Sequence, residues 1–495
     1  MKKISIILMA FALVLTSCKD FLDVAPTNQA ASEICISNAD DAKVMLNGLY
    51  NAMTSSSFYG RNFVIYGDLK TDHVTVESNG RGYDYMYAYQ HSATSGTMSG
   101  FWSTGYNTIM LCNNIIEGCA KLDDAEADEY AAQAQTIRAM FHYDLARLYG
   151  KCWNDDKTAL AVPIVNETVP AGAQLPRNTV AEVYDFVLAE LDAAAPRLSK
   201  SKEDGFINYY GNRAIKARAL MDMENYAGAL QVAEEIINSG KYSLYTPDEW
   251  VDSWAEQFGS ESIIEIGMYV NEGDNGSTGD IGCVFIIGGG NGKNPQYMLA
   301  GLGWLDRMYE DPTDVRWGVM GEDDIRDSAL EGDELKTVKM ERRHGSFGSC
   351  WKYRGGLEGK GDGKASNSAV NVKLCRLSEI YLIAAEAALQ SNNKAKAAEY
   401  TNEIRKRSPA LPAYTEATIT RKAILDEKSK EFFSEGIRYW DLIRTNSTIE
   451  MDDYTTDVVV TTRETSFNRS FYKCILPMYK DEMNANPNIV QNPGY

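Results

Sequence analysis

Several motifs that mark metal, nucleotide and nucleic-acid sites are absent from this chain of 495 residues. Its four histidines form no H-E-x-x-H arrangement and its nine cysteines form no C-x-x-C pair, so neither residue type predicts a metal cluster. The glycine run 288–292 lacks the G-K-S/T ending of a phosphate-binding loop. Lysine and arginine total 49 against 69 acidic residues, and the resulting net charge of -20 repels phosphate backbones. We therefore expect no cofactor, no metal and no nucleic-acid partner.

Long apolar runs are also scarce, and the one at the N-terminus is short. Lys2 and Lys3 precede the apolar stretch 4–15, which falls below the roughly 20 residues that span a bilayer. A positive head, a short apolar stretch and small residues are typical of a secretory signal peptide, here predicted over residues 1–17. The sequence Leu-Thr-Ser-Cys at 15–18 resembles a bacterial lipobox, which implies a lipid on Cys18 and an anchored segment over 18–39. The alternative is an ordinary secreted protein with a cysteine near its cleavage site.

The remaining chain is long and predominantly helical in pattern. Single hydrophobic cores stop growing near roughly 250 to 300 residues, so we expect two parts or a layered array. Apolar residues recur every three or four positions over 40–51, 106–120, 129–149 and from Thr179 to Pro196. Two further segments, 212–239 and 376–406, each predict a helix, a tight turn and a second helix, with alanines at matching positions. These segments predict hairpins of the tetratricopeptide kind inside a larger, mainly α-helical fold.

Glycine-rich stretches interrupt this pattern in the second half of the chain. Residues 271–303 and 355–363 are dense in glycine, which breaks helices and permits irregular backbone. Loops of this length in compact proteins are usually functional or disordered. We therefore divide the mature chain into a helical part over 40–270 and a part with glycine-rich loops and closing helices over 271–495. Besides Cys18 there are eight cysteines, for which free thiols are favoured although export permits disulfides.

Five segments follow one another in an order that resembles a known family. They are R-A-x-x-x-x-x-L-x-x-x-Y-G at 138–150, P-R-x-T-V-x-E-V-Y at 176–184, R-L-x-E-x-Y-L-x-x-A-E-A at 376–387, E-F-x-x-E-G-x-R-x-x-D-L-x-R at 431–444, and N-P-x-x-x-Q-N-P-G-Y at 486–495. Together with the lipobox, these segments are distributed over nearly the whole length of the chain. They resemble the SusD/RagB outer-membrane lipoproteins of Bacteroidetes.

This resemblance implies a SusD-like, mainly α-helical fold with tetratricopeptide-like hairpins and a loop-rich, irregular ligand face. It implies a lipid-anchored protein on the cell-surface side of the outer membrane, in partnership with a SusC-like TonB-dependent transporter. The implied role is non-catalytic: the protein captures an oligosaccharide or polysaccharide and delivers it for import. A peptide-binding, RagB-like member of the same family is an alternative. A glycoside hydrolase and a purely structural adaptor are further alternatives.

A glycan site needs flat aromatic rings with polar groups at their edges, because sugars present apolar C–H faces and a rim of hydroxyls. Tyr83, Tyr85 and Tyr87 lie on one face if their segment is a strand, although such a strand is equally explained as half-buried packing. Asp72 and Arg81 flank the same loop, where SusD-like proteins often use an acid and an arginine; a surface ion pair is the alternative.

Tryptophans supply the other candidate platforms. Trp102 lies where starch-binding relatives place an aromatic ring, but Gly105 replaces the asparagine that such relatives carry three positions later, and core packing is an alternative role for Trp102. Trp304 and Trp317 lie beside glycine-rich loops and complete the set of proposed ligand-binding residues. Trp440, inside the motif at 431–444, is expected to be a core residue.

Overall fold

Helices dominate the computed structural model, which describes residues 36–76, 82–94, 100–268, 281–285, 298–320, 350–353, 371–454, 456 and 458–495. In the first half of the chain the α-helices are α1 (Ala39–Met53), α2 (Asn62–Leu69), α3 (Tyr83–Tyr87), α4 (Gly100–Cys119), α5 (Ala125–Tyr149), α6 (Trp153–Asp156), α7 (Val180–Ala194), α8 (Tyr209–Asp222), α9 (Tyr226–Asn238) and α10 (Pro247–Trp250). In the second half they are α11 (Gly282–Phe285), α12 (Leu302–Met308), α13 (Leu377–Gln390), α14 (Lys394–Arg405), α15 (Arg421–Glu431), α16 (Arg438–Arg444) and α17 (Lys480–Ala485). The predicted mainly α-helical fold is confirmed.

Side-chain caps fix where the first long helices begin. The Asn38 side chain accepts a hydrogen bond from the Asp41 amide, so α1 begins one residue before the predicted Asp40. Asp124 caps α5, and Thr179 and Glu182 form a reciprocal capping box at the start of α7. Helices α4 and α7 then both pack their apolar faces against α5, which forms the helical layer that the periodicity predicted.

The two predicted helical hairpins are present and lie side by side. The hairpin α8/α9 turns at Glu224 and the hairpin α13/α14 turns at Asn392, both with positive φ angles. Helix α9 packs on α13, and the Tyr400 hydroxyl of α14 donates a 2.8 Å hydrogen bond to Glu234 of α9. Ala229 and Ala398 are buried at the matching positions, where small side chains let the helices approach closely.

Three short antiparallel sheets tie distant parts of the described chain together. Their strands are β1 (Val74–Val76) with β3 (Met298–Ala300), β2 (Ser262–Ile266) with β4 (Val372–Arg376), and β5 (Ile449–Glu450) with β6 (Ser466–Phe467). Two of these pairs join residues on either side of position 270, and one hydrophobic core contains residues from both sides. The division of the mature chain at 270 stays a prediction, but its two parts share a core.

A cluster of buried charges lies where β4 meets α13 and α15. Arg376 donates hydrogen bonds to Glu435 and Glu261, and its guanidinium lies 2.9 Å from a carboxylate oxygen of Glu431. Glu431 also pairs with the buried Arg407. Burial alone would raise the pKa of Glu431, but Arg407, Arg376 and other neighbouring cations outweigh it and hold this pKa well below its usual range. Several residues of the sequence motifs at 376–387 and 431–444 therefore belong to a buried ionic cluster.

The side chains of six cysteines are described, and all six are free: Cys112, Cys119, Cys152, Cys350, Cys375 and Cys474. Cys18, Cys35 and Cys283 lie outside the residues whose side chains are described. Most of both glycine-rich stretches also lies outside the described residues. Among the helices that are described, none is both long enough and apolar enough to cross a membrane.

The Trp102 pocket as candidate functional site

The tyrosine-rich segment after β1 is a short helix, so the predicted strand is wrong. Gly82, with φ 84°, is the N-cap residue directly before α3, and successive residues of α3 then rotate by about 100°. Tyr83 and Tyr87 consequently turn inward and are buried, whereas Tyr85, on the opposite side, is 44% exposed. The strand prediction failed because an alternation of tyrosines over five residues is also compatible with a short helix. A tyrosine can occupy either the buried or the exposed side of such a helix. The three rings therefore do not share one face.

Buried tyrosine rings of this segment have structural partners. The Tyr87 hydroxyl donates a 2.6 Å hydrogen bond to the Asp452 carbonyl, and the Tyr89 hydroxyl donates a 2.9 Å hydrogen bond to the Lys70 carbonyl. These bonds hold the segment against the C-terminal part of the chain and against the end of α2. Tyr87 is therefore not available as a ligand platform, and Tyr85 is the one proposed tyrosine whose ring is exposed.

Asp72 is a buried ion-pair residue. Its carboxylate accepts two 3.0 Å hydrogen bonds from Arg438 and also pairs with Arg307. Burial alone would raise the pKa of Asp72, but Arg438 and Arg307 outweigh it and hold this pKa well below its usual range. Because arginines occupy both carboxylate oxygens, Asp72 has a structural role and offers no free acceptor to a ligand. Arg81, its predicted companion, lies outside the described residues.

Trp304 and Trp317 are core residues, which contradicts their assignment as ligand platforms. The ring of Trp304 stacks on Phe433 with 4.3 Å between ring centroids, and its indole N–H donates to the Ser429 carbonyl. Trp317 donates its indole N–H to the Asp311 carbonyl at 3.1 Å and is likewise buried. Neighbouring glycine-rich sequence suggested exposure, but the apolar area of an indole is better buried where protein partners are within reach.

Trp102 lines an open pocket of about 410 Å³ near the start of α4. Its ring packs against Tyr106 and Tyr149, with centroids 4.9 Å and 5.1 Å apart, and 8% of the residue remains exposed. The alternative of core packing and the predicted ligand role are therefore both compatible with its position. The residues that line the pocket are Ala93, Thr94, Gly100, Trp102, Ser103, Tyr479, Lys480, Asp481 and Glu482.

Helix α17, close to the C-terminus, forms the opposite wall of this pocket. The Lys480 amide donates a 2.9 Å hydrogen bond to the Ala93 carbonyl, which fixes α17 against the segment that precedes α4. The indole of Trp102 interacts with the carboxylate of Glu482. Burial raises the pKa of Glu482, and the interaction with Trp102 opposes this rise. The pocket thus has an aromatic ring and a carboxylate that already contact each other.

Tyr479 adds a polar group that its surroundings do not satisfy. It lines the pocket, and its buried hydroxyl has no hydrogen-bond partner among the described residues. Because this hydroxyl is itself buried, it does not open into the pocket, and leaving it unpaired costs roughly 1–3 kcal/mol. Burial also raises the pKa of Tyr479, which keeps the phenol protonated as a donor.

The geometry of the pocket favours binding over bond cleavage. A glycosidase needs two carboxyl groups that flank the scissile bond, whereas Asp481 and Glu482 come from the same turn of the same wall. In the described part of the chain, no cluster of histidine, cysteine, aspartate and glutamate has an arrangement that would hold a metal ion. The combination of one aromatic edge, hydroxyls and charged groups suits a ligand that is partly apolar and rich in hydroxyls.

Sequence reasoning identified Trp102 but missed Tyr479 and Glu482. Helix α17 has only six residues, too few for an apolar periodicity, and nearly 400 positions separate it from Trp102. The only local signal was the motif at 486–495, which follows directly after α17.

Comparisons with known proteins agree with this fold. A model of the SusD family matches residues 347–495, and a model described as "Starch-binding associating with outer membrane" matches residues 20–219. SusD-like protein P38 of Formosa agariphila is 24% identical over 478 residues, covering 88% of this chain and 90% of its own. The starch-binding protein SusD of Bacteroides thetaiotaomicron is 30% identical over 173 residues, covering 34% of this chain and 28% of its own.

Solved structures give the same result. A SusD superfamily protein from Bacteroides thetaiotaomicron superposes with a TM-score of 0.82 at 28% identity, covering 92% of this chain and 100% of its own. A putative sugar binding protein from Bacteroides vulgatus superposes with a TM-score of 0.81 at 29% identity, covering 94% of this chain and 100% of its own. The similarity in both cases extends over nearly the whole molecule.

Proposed function

Since the chain belongs to the SusD family of carbohydrate-binding, outer-membrane-associated proteins, we propose that it captures oligosaccharides or polysaccharides without cleaving them. Its ligand would enter the pocket between Trp102 and α17. The observation that carries this proposal is that an indole edge, a tyrosine and the charged side chains of α17 line one opening. A sugar offers the matching groups: apolar C–H bonds for the ring and hydroxyls for the polar rim.

Replacing Trp102 by alanine is expected to weaken glycan binding by about tenfold or more, because one aromatic contact contributes roughly 0.5–1.5 kcal/mol beyond its buried area. Affinity electrophoresis through gels that contain starch, xylan, laminarin or pectin measures this effect. We expect the wild type to be retarded by at least one of them. Tyr479→Phe should leave the same binding nearly unchanged, since it removes a buried hydroxyl and keeps the ring.

Two controls accompany this test. Trp153→Ala removes a half-buried indole of α6 that does not line the pocket, and it should leave retardation unchanged. Trp102→Phe guards against misfolding, because it keeps a ring in the packing site beside Tyr149. Equal binding by wild type and by every Trp102 variant would contradict the site. Retention of peptides in place of glycans would favour the RagB-like alternative, and new reducing ends at enzymatic rates would favour a hydrolase.

We also propose that the protein is anchored through a lipid on Cys18, faces the cell exterior and passes its ligand to a SusC-like TonB-dependent transporter. The lipobox at 15–18 and the family's association with the outer membrane support this part. Stable anchoring takes more than one acyl chain, so all acylation at this residue must be lost for release. Delivery then requires no chemistry from the protein itself.

Cys18→Ala is expected to abolish incorporation of a palmitate analogue and to shift the protein from the membrane fraction to the soluble fraction. Cys35→Ala is the matched control, because it removes the next cysteine of the chain and should change neither result. The wild-type protein, extracted from outer membranes in mild detergent, should carry the transporter with it. Membrane retention and labelling of Cys18→Ala at wild-type levels would contradict the anchor.

A further inference from the structure

Exposed aromatic side chains are confined to one region of the described molecule. Among the described residues, three aromatic side chains are exposed: Tyr85 at 44%, Tyr454 at 55% and Tyr472 at 40%. They come from three separate places in the sequence. All three nevertheless border the same stretch of chain, residues 85–93, which leads to the Trp102 pocket at Ala93.

Tyr472 lies beside the part of this stretch nearest the pocket. Its ring packs on Tyr495, with 5.1 Å between centroids, and the Tyr495 hydroxyl is 2.8 Å from the Nε2 atom of His91. His91 is two residues before Ala93, which lines the pocket. The exposed Tyr472 ring is thus connected to the pocket border through two side-chain contacts.

Tyr85 lies at the other end of the stretch. Its carbonyl accepts a 2.8 Å hydrogen bond from the Gln90 amide, so the chain folds back and brings Tyr85 beside Gln90. Ala93 comes three positions after Gln90, so their Cα atoms are at most about 11 Å apart. The backbone of Tyr85 is therefore close to the pocket despite the eight positions between Tyr85 and Ala93.

Tyr454 is held next to α3 by a separate set of contacts. The Tyr87 hydroxyl bonds to the Asp452 carbonyl, two residues before Tyr454. Arg463 donates a 3.1 Å hydrogen bond to the Tyr87 carbonyl and pairs with Asp453 at 2.7 Å and 2.8 Å. These bonds anchor the backbone that presents the Tyr454 ring.

We propose that Tyr472, Tyr85 and Tyr454 continue the Trp102 pocket as a series of ring platforms, so that the site takes an extended glycan chain and not a single sugar or a chain end. This inference rests on the proposed glycan-binding function. Successive sugar units repeat the same apolar faces along a chain, and separate tyrosine rings with polar groups between them match that repetition. Asp453, whose side chain is 19% exposed next to Tyr454, supplies one such polar group, while the side chain of its ion-pair partner Arg463 is buried. We call Tyr85, Tyr454 and Tyr472 the outer tyrosines.

Isothermal titration with short and long ligands tests this proposal. The probes are a disaccharide and an octasaccharide prepared from whichever polysaccharide of the panel retards the wild type. Replacing all three outer tyrosines by alanine should weaken octasaccharide binding by about tenfold or more and leave disaccharide binding within about twofold. Replacing them by phenylalanine should preserve binding of both ligands, because the ring faces remain. Trp102→Ala should weaken both.

The single variant Tyr454→Ala keeps the test valid if the triple variant does not fold. Val459→Ala is the matched control, since it removes an exposed apolar side chain from the same segment without removing a ring. Equal octasaccharide affinity for wild type and for the alanine variants would refute the role of the outer tyrosines in binding. It would not contradict the role of the Trp102 pocket. Weakened association with the transporter at unchanged glycan affinity would also overturn them, because the rings would then form a protein interface. A wild type that binds no glycan would instead refute the proposed function itself.

Discussion

Replacing Arg376 by alanine is expected to destabilise the protein by about 3–5 kcal/mol, the usual cost of breaking a buried ion pair by removing one partner. Arg376 is buried and touches Glu261, Glu431 and Glu435. Without it, three buried carboxylates share fewer cations, and the pKa of Glu431 should rise. Urea unfolding followed by circular dichroism measures the loss.

Two further variants show whether the effect belongs to the buried cluster. Arg376→Lys keeps the charge but not the two parallel bonds to Glu435, so it should fall between wild type and Arg376→Ala. Lys406→Ala breaks an exposed pair with Glu403 and should cost less than about 1 kcal/mol. An Arg376→Ala variant that unfolds like Lys406→Ala would contradict the role assigned to the cluster.

Replacing Gly436 by alanine is expected to cost about 3 kcal/mol or more, or to prevent folding altogether. Gly436 has φ 73°, a region that residues with a Cβ atom rarely adopt, and an added Cβ would overlap the Val64 carbonyl of α2. A Cβ atom added at Gly67, on the same helix as Val64, would likewise overlap the Gly436 carbonyl, and the Gly436 amide donates to Asp68. The yield of folded protein and its urea midpoint measure this loss.

Gly48→Ala is the matched control for this substitution. Gly48 is an exposed residue inside α1, and an added Cβ would meet nothing within 4 Å. Because glycine weakens a helix relative to alanine, this variant should gain about 0.5–1 kcal/mol. A Gly436→Ala variant as stable as wild type would show that the two backbones do not cross as closely as described.

The fold could be predicted from the sequence because its signals are local. Helix caps such as Thr179, apolar spacing and paired alanines act within a few residues, and they predicted the helical layer and both hairpins. The family motifs at 376–387 and 431–444 supply buried arginines and carboxylates that must remain together, since each compensates the charge of the others. Such residues identify a fold well and reveal little about a ligand.

The site was harder to predict because its residues meet only in three dimensions. Alternation alone did not distinguish the short helix α3 from a strand, and glycine-rich neighbours did not reveal that Trp304 stacks on Phe433. Trp102 was found through resemblance, but its partner Glu482 comes from a six-residue helix far along the chain. The roles of Cys18 and Arg81 lie outside the described residues and stay predictions.

The hydrogen bond from Lys480 to Ala93 has a consequence for biogenesis. Trp102 is synthesised long before α17, the helix that forms the facing wall, because α17 begins at Lys480. A nascent polypeptide released by the ribosome before Lys480 would contain most of the fold but only one wall of the Trp102 pocket. The pocket is therefore complete only after translation has passed Glu482, and any shorter product lacks one of its two walls.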